Sequence, residues 1–239
     1  MLVETWYESS DKYNLTLAVL ADIHSRKINE VLAILKKKRP DIILIPGDFV
    51  DGVKVEKAKD HKELIDDAVF LLNQVSFIAP TYCSLGNHEK HFFLPEIEKL
   101  YKSNTIVLQE QYIKIKQDIY IGGLSSGINY FDKMQSQIPD IHFINNFEKI
   151  NGYKILLSHH PEYYEPYLKK KAIDLIISGH AHGGQVRLFD HGLYAPGQGL
   201  FPRYTSGIHD KKLIVSRGIA GTELFPRVNN RPEIVYVKI

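Results

Sequence analysis

The hydrophobic positions of the chain fall into short apolar runs that alternate with stretches of helical spacing. Apolar runs of about four to eight residues bounded by turn residues are typical of buried strands, and apolar residues spaced three and four apart are typical of helices. The runs predict strands at 15–21, 42–45, 77–84, 105–108, 112–115, 119–122, 141–144, 154–157, 174–178, 212–216 and 233–239. Helical spacing predicts helices at 28–39, 57–74, 95–101 and 162–171, and residues 131–137 are predicted to be helical or irregular.

This alternation of strands and helices indicates an α/β protein of the α+β type. We expect two mixed sheets packed on each other with helices flanking both, which gives a four-layer α/β/β/α sandwich. The length of 239 residues suits one well-packed domain, and no repeat or linker divides the chain. We therefore expect a single domain over residues 1–239.

A polar cluster directly follows five of the predicted strands. The clusters are Asp22-Ile23-His24, Gly47-Asp48, Gly86-Asn87-His88-Glu89, Ser158-His159-His160 and Gly179-His180-Ala181-His182. The carboxyl ends of strands are where α/β sheets build their sites. Carboxylate, amide and imidazole groups are also common ligands of divalent metals. The clusters therefore predict one metal centre assembled from five loops.

Each cluster also has a structural interpretation when it is taken alone. Asp22 and His24 are able to cap a helix or to hydrogen-bond within a turn, and Gly-Asp is typical of many turns. His180 and His182 are two apart on extended chain and therefore face one side, but exposed turn histidines share this spacing. The presence of all five clusters on successive strand ends favours the metal centre.

Composition narrows the function classes only slightly. The 30 basic and 28 acidic residues give a formal net charge of +2 without a basic stripe, so we expect no nucleic-acid partner. Cys83 is the single cysteine, which excludes an internal disulfide and fits a reducing compartment. No apolar run approaches the ~18 residues of a membrane helix. We expect a soluble, cytoplasmic protein.

The order of the five clusters resembles that of the calcineurin-like metallophosphoesterase family, over about residues 15–182. Residues 183–188, 195–199 and 227–233 resemble the YkuE/YaeI-like bacterial branch of that family. Members of this branch often begin with a membrane anchor or an export signal, and this chain begins without one. We therefore expect either a cytosolic member or one from which a leading segment was trimmed.

The resemblance implies a dinuclear centre and assigns its ligands. These are Asp22, His24 and His182 for one ion, Asn87, His159 and His180 for the other, and Asp48 as a bridge between the two. A shared carboxylate offsets the repulsion of two cations held ~3.5–4 Å apart and fixes their spacing. A water that bridges the two ions becomes a hydroxide near neutral pH and is the expected nucleophile. Asp48 is thus both a ligand and a catalytic residue.

The remaining residues of these clusters receive supporting roles. His88 follows the ligand Asn87 and is expected to protonate the leaving oxygen, and Glu89 or Asp51 is expected to orient the His88 ring or another ligand. Adjacent strand residues point to opposite faces, so only one of His159 and His160 enters the site. Family position favours His159, and His160 is then expected to pack or to cap a helix.

The expected activity is hydrolysis of a phosphodiester, phosphomonoester or pyrophosphate bond, on a small, lipid-linked or nucleotide-linked substrate. The donor set suits two divalent ions of Mn, Fe, Zn or Co, with Mn or Fe expected in the cell. The alternatives are a phosphoprotein phosphatase and a non-catalytic binding module on the same scaffold. A degenerate module should lack a ligand or the acid, and this sequence has every ligand position and His88.

Aromatic residues near the clusters suggest where the substrate binds. Phe93 follows the Asn87 turn, and Phe201 lies in the loop after the last histidine. If they are exposed, they form an apolar lip for a hydrophobic group and permit peripheral membrane contact, and Arg187 or Arg203 is available for a phosphate. The alternative is that these aromatic side chains pack beneath their own loops.

Overall fold

Two six-stranded mixed sheets contain most of the apolar runs. The computed structural model describes residues 2–26, 28–92, 94–116, 118–127, 138–220 and 226–239. Within them the strands are β1 (Val3–Glu8), β2 (Thr16–Val19), β3 (Ile42–Ile45), β4 (Thr81–Cys83), β5 (Ile106–Val107), β6 (Gln111–Lys116), β7 (Ile119–Leu124), β8 (Tyr153–Ser158), β9 (Leu175–Ser178), β10 (Arg187–Leu188), β11 (His191–Gly192), β12 (Tyr194–Ala195), β13 (Gly199–Leu200), β14 (Gly207–His209), β15 (Leu213–Val215) and β16 (Glu233–Lys238). The helices are α1 (Asn29–Lys38), α2 (Gly52–Lys57), α3 (Lys62–Ser76), α4 (Leu94–Leu100) and α5 (Ile141–Phe147).

The first sheet has the order β1-β16-β2-β3-β4-β5, and the second has the order β14-β15-β9-β8-β7-β6. Strands β2, β3 and β4 are parallel neighbours, as are β8 and β9 in the second sheet. Parallel neighbours end at the same edge of a sheet. The strands that precede the five polar clusters therefore deliver them to a common edge in each sheet.

Three clusters of buried apolar side chains join the layers of the fold. Between the sheets, Leu17 and Leu44 share a buried cluster with Leu157 of the second sheet. Helices α1, α3 and α4 cover the outer face of the first sheet through a second cluster, and α5 covers the second sheet through a third, which includes Phe147. The order of layers is helix, sheet, sheet, helix, which confirms the predicted four-layer architecture.

Residues 141–144 are helical, so the strand predicted there is wrong. Asp140 caps helix α5, since its Oδ1 accepts the Phe143 N–H at 2.8 Å. Phe143, Ile144 and Phe147 are buried, and their spacing is helical. The four residues 141–144 are too few to distinguish the spacing of apolar residues in a strand from that in a helix.

The helix predicted at 57–74 begins later, at Lys62, and a separate short helix, α2, precedes it and ends at Lys57. Asp51 accepts from the Val53 and Lys54 N–H groups at the start of α2. Asp60 accepts from the Lys62 N–H at 3.0 Å at the start of α3. Helix α3 then extends through residue 76, so the strand predicted at 77–84 is shortened to β4.

Two further segments differ from the predictions. The helix predicted at 162–171 is a 3-10 turn, Pro161–Tyr163, followed by a π-helix, Tyr164–Leu168. Strand β1 was not predicted, and it pairs in parallel with β16 at one edge of the first sheet. The segment 131–137 lies outside the described residues. No helix in the described part of the chain is long and apolar enough to cross a bilayer.

Candidate metal centre

The two sheets bring all seven predicted ligands into one buried region. The loops after β2, β3 and β4 supply four of them, and the loops after β8 and β9 supply three. None of the seven is more than 8 % exposed. They are Asp22, His24, Asp48, Asn87, His159, His180 and His182. Buried polar groups without a role are costly, so this concentration requires a partner for their charge and lone pairs.

Backbone strain is concentrated at the same residues. Five of the seven have left-handed backbone angles, with φ between 45° and 63°: Asp22, His24, Asp48, His180 and His182. A residue with a Cβ adopts this region at a cost of about 1–2 kcal/mol. Such strain persists where surrounding contacts enforce it, and it is common at functional sites. Here the left-handed turns direct the side chains that follow the strands into the shared region.

Asp22, His24 and His182 form the first group, with ligand atoms within 4.8 Å of one another. The Nε2 atoms of His24 and His182 are 3.2 Å apart. The His182 Nδ1 lies 3.1 Å from the Ala220 carbonyl oxygen, which assigns the ring proton to Nδ1 and leaves the Nε2 lone pair facing the group. This tautomer is the one that binds a metal through Nε2.

Asp48, His159 and His180 form the second group, again within 4.8 Å. The Asp48 Oδ1 accepts the His88 N–H at 2.9 Å. The other oxygen, Oδ2, lies 3.0 Å from His159 Nε2 and 3.9 Å from His24 Nε2. Because His24 belongs to the first group, Asp48 Oδ2 lies near ligand-type atoms of both groups.

Several buried polar atoms of these residues lack a hydrogen-bond partner, as is expected of metal ligands. Within the described residues, Asp22 Oδ2, Asn87 Oδ1 and His159 Nε2 are buried and have no hydrogen-bond partner. His159 Nε2 approaches Asp48 without the geometry of a hydrogen bond, while its Nδ1 lies 3.1 Å from the Pro46 carbonyl oxygen. Three ligand-type atoms of the predicted set therefore lack a hydrogen-bond partner, and two of their residues, Asp22 and His159, belong to the two groups. Oxygen and imidazole nitrogen, without thiolate, suit a divalent cation.

The electrostatics of the metal-free site point the same way. Burial lowers the pKa of His24, His180 and His182 below the usual value, so these rings are neutral, as ligation requires. Burial also acts to lower the pKa of His159, but the negative charge of Asp48 outweighs it and raises that pKa to about 9. A proton on His159 thus balances the Asp48 charge in the metal-free protein.

Glu89 clamps the loops that carry two of the ligands. Its carboxylate is fully buried and accepts three backbone N–H groups, from Asp48 at 2.9 Å, Val50 at 3.0 Å and Gly86 at 2.7 Å. Burial and the Asp48 charge raise the pKa of Glu89 to about 7, although these hydrogen bonds oppose the rise. Of the two expected tasks, the position of Glu89 suits the orientation of another candidate ligand, because the carboxylate accepts the backbone N–H of Asp48.

Gly86 is required by the close approach of these two loops. A Cβ at this position would lie 2.1 Å from Asp48 Oδ1. Only glycine therefore allows the turn before Asn87 to pack against the Asp48 carboxylate.

The partner of the His88 ring is the backbone of helix α2. The Gly52 N–H donates to His88 Nδ1 at 2.7 Å, so the neutral ring carries its proton on Nε2. His88 Nε2 lies 3.8 Å from Asp48 Oδ2 and therefore faces the centre. Asp51, the other predicted partner, caps α2 and reaches the ring only through the position of Gly52.

The sequence analysis did not identify Glu162, which belongs to a further group of ligand-type residues beside the second group. His160, Glu162 and His180 place ligand-type atoms within 4.8 Å of one another. His160 is buried and packs its ring on His180, with ring centroids 4.2 Å apart. The available signal was a carboxylate two residues after the histidine pair, which a search restricted to strand ends overlooks.

Comparisons with known proteins agree with this geometry. The model of the calcineurin-like phosphoesterase family matches residues 15–184. The chain belongs to this family. It is therefore a phosphoric ester hydrolase, and its site contains residue clusters that suit metal ions.

Two bacterial relatives match most of this phosphoesterase. It is 28 % identical over 242 residues to the metallophosphoesterase YkoQ of Bacillus subtilis, covering 94 % of this chain and 83 % of YkoQ. It is 25 % identical over 242 residues to the phosphodiesterase YaeI of Escherichia coli, covering 92 % and 80 %. The predicted relation to the bacterial branch is thereby confirmed.

A solved structure supports the fold. A dimetal phosphatase from Danio rerio superposes with a TM-score of 0.51 at 11 % identity, covering 86 % of this chain and 88 % of that chain. At this identity the similarity concerns the fold alone.

The residues predicted to bind the substrate differ in their exposure to solvent. The Arg187 guanidinium is buried and donates to the carbonyls of Gly183 at 2.9 Å and Asp190 at 2.5 Å, which holds the loop together. Arg203 is exposed and forms an ion pair with Glu165 at 2.8 Å. Phe201 is 78 % exposed. Phe93 lies outside the described residues.

We predict that Glu89→Gln destabilises the metal-free phosphoesterase by about 1–3 kcal/mol, because a buried amide nitrogen would face backbone N–H groups and leave some of them unsatisfied. The measurement is the free energy of unfolding in urea. Glu63→Gln, at an exposed position in helix α3, is the control and should change it little. Equal stability of the two variants would contradict the clamp.

Proposed function

We propose that this chain is a dinuclear metal-dependent phosphoesterase that hydrolyses a phosphodiester, phosphomonoester or pyrophosphate bond. One observation carries the proposal: Asp48 Oδ2 lies between the two groups of candidate ligands, 3.0 Å from His159 Nε2 and 3.9 Å from His24 Nε2. A carboxylate in this position is what two adjacent cations need, because it offsets their repulsion. The buried oxygens Asp22 Oδ2 and Asn87 Oδ1 have no hydrogen-bond partner in the described part of the chain, which supports their assignment as ligands.

The chemistry supplied by two bound cations is an acidified water as nucleophile and neutralisation of the phosphoryl oxygens. Manganese, iron and zinc all suit these donors. The residues of the chain then hold the ligands in orientation. Carbonyl oxygens of Pro46 and Ala220 fix the rings of His159 and His182, and Glu89 fixes the loop of Asp48.

His88 is the proposed proton donor to the leaving oxygen. The Gly52 N–H occupies Nδ1, so the proton is on Nε2, which faces the centre. The His88 side chain is 19 % exposed, more than the candidate ligands around it, and a substrate oxygen can therefore reach it. As a general acid His88 would act in its imidazolium form, in which Nδ1 is also protonated and the Gly52 contact is given up, and loss of the Nε2 proton to the leaving oxygen would return the neutral ring.

The substrate class is proposed from four exposed side chains, which we name the apolar lip: Leu188, Phe189, Leu200 and Phe201. Phe189 and Phe201 are 97 % and 78 % exposed, and both have left-handed backbone angles in short hairpins. These hairpins follow directly from the His182 turn, so the lip begins beside the candidate centre. Exposed apolar groups in the loop that carries His182 support a substrate with an acyl or aryl group, lipid-linked or nucleotide-linked.

The lip also supports peripheral membrane contact, since side chains this exposed are able to enter a lipid surface. The phosphodiesterase name of the relative YaeI favours the phosphodiester among the three candidate bonds. A cytoplasmic location remains a prediction from the cysteine content.

The bridge is tested by metal content. Asp48→Asn should lose more metal than replacement of any ligand of one ion, because it weakens both positions at once. Bound metal per chain is counted after dialysis. Asp41→Asn, at a partly exposed carboxylate that accepts the Thr16 N–H, is the control and should keep two equivalents. Two equivalents retained by Asp48→Asn would refute the bridge.

The role of His88 as the acid is tested by comparing the rates on substrates with different leaving groups. His88→Ala should keep both metals and lose about 10²–10⁴-fold in kcat on alkyl esters. The loss should be much smaller on nitrophenyl esters, whose leaving group needs little protonation. His142→Ala, on the exposed side of α5, serves as the control. Equal losses on both substrates would assign His88 to positioning instead.

The lip is tested by KM. Phe189→Ser and Phe201→Ser should raise KM for an acylated or aryl phosphoester, and leave metal content and turnover of a methyl phosphate ester unchanged. The reason is that the lip contributes uniform binding and takes no part in bond cleavage. Phe70→Ser, at a 62 % exposed position on α3, is the matched control. An unchanged KM for both substrates in folded variants would exclude a role in binding.

A further inference from the structure

A chain of polar contacts leads from Ser126 to the candidate ligand His180. Ser126 Oγ lies 2.6 Å from His160 Nε2, and His160 Nδ1 lies 2.9 Å from Glu162 Oε1. The same Glu162 oxygen lies 3.8 Å from His180 Nε2. That distance is longer than a hydrogen bond, so the carboxylate acts on His180 through its charge. None of the four residues is among the ligands of the first group.

The hydrogen bonds of His160 determine which of its ring nitrogens carries the proton. The Ser126 hydroxyl is able to donate to Nε2, which leaves the His160 proton on Nδ1, directed at the carboxylate. The Glu162 Oε1 thus accepts one hydrogen bond from His160 and lies 3.8 Å from His180 Nε2.

The loop that carries the apolar lip is in contact with the same carboxylate. A Cβ at Gly197, which has φ of 72°, would lie 2.2 Å from Glu162 Oε1. Gly197 belongs to the turn between β12 and β13, and the lip residue Leu200 is in β13. The Glu162 carboxylate therefore lies between the turn that contains Gly197 on one side and the rings of His160 and His180 on the other.

We propose that Glu162 is a positioning residue that orients His180 toward the second group of ligands and strengthens it as a donor, with His160 and Ser126 holding the carboxylate in place. Carboxylates that contact a ligating histidine act in this way in other metal sites, and their loss weakens metal binding about 10- to 100-fold. The inference rests on the proposed dinuclear function. It predicts an effect on one ion only, because His180 belongs to one of the two groups.

The test measures the two binding constants separately. Metal-free protein is titrated with Co²⁺ in competition with a chromophoric chelator, and the absorption of bound Co²⁺ reports each site. Glu162→Gln should weaken one ion about 10- to 100-fold and leave the other unchanged. Glu162→Ala should weaken the same ion further, because Gln retains an oxygen for His160.

Two more variants separate positioning from general loss of structure. Glu165→Gln alters an exposed carboxylate three residues further on, which contacts Tyr204, Lys169 and Arg203, and it should leave both constants unchanged. Gly197→Ala keeps Glu162 but displaces its carboxylate, and it should weaken the same ion as Glu162→Gln. The thermal melting of metal-free Glu162→Gln should match that of the wild type, which a purely structural role would not allow.

The outcomes distinguish this inference from the proposed function. A wild type that binds a single Co²⁺ overturns the dinuclear proposal and this inference with it. A wild type that binds two, with unchanged or equally weakened constants in Glu162→Gln, overturns the inference alone. A wild type that binds three ions, one of which is lost in Glu162→Gln, makes Glu162 a ligand of its own ion and also overturns the inference.

Discussion

The interaction on which the site depends is the contact of one buried carboxylate, Asp48, with side chains from both sheets. Its Oδ2 lies 3.0 Å from His159 of the second sheet and 3.9 Å from His24 of the first. An ionised carboxylate at such depth is unfavourable without cations around it. In the metal-free protein a proton on His159 supplies that charge, and burial keeps the neighbouring His24 neutral. The loops are thus arranged around a position where positive charge is needed.

The scaffold tolerates the strain that this arrangement imposes. Five candidate ligands have left-handed backbone angles, each at a cost of about 1–2 kcal/mol. The strands directly before them are almost completely buried, and full burial of one large apolar side chain contributes about 1.5–3 kcal/mol. Leu44 and Leu157, for example, lie in the layer between the sheets with no exposed surface. Stability in this interior layer therefore offsets local instability at the strand ends.

Much of the fold and the grouping of the candidate ligands was predictable, because both depend on short-range pattern. Apolar runs identify buried strands, and the residue after a strand end lies at a sheet edge, so Asp22 or His180 is found without a structure. The errors have local causes: the Asp140 cap turns residues 141–144 into a helix. The contact of Glu162 with His180 joins loops that follow two different strands, and the contact of Gly52 with His88 is made by a backbone N–H. The sequence marks Glu162 only by its place two residues after the histidine pair, and the residue pattern contains no signal for the backbone contact of Gly52.

The loop after β9 combines two tasks that the rest of the fold keeps apart. Its first residues, His180 and His182, are candidate ligands, and its later residues form the exposed hairpins of the apolar lip. Arg187 ties the start of this loop to its middle through the carbonyls of Gly183 and Asp190. This brace acts through the backbone of the loop and leaves the exposed side chains of the lip free of the candidate ligands. A substitution in the lip therefore changes the surface of the hairpins, while the histidine turn keeps the position that Arg187 and the end of β9 give it.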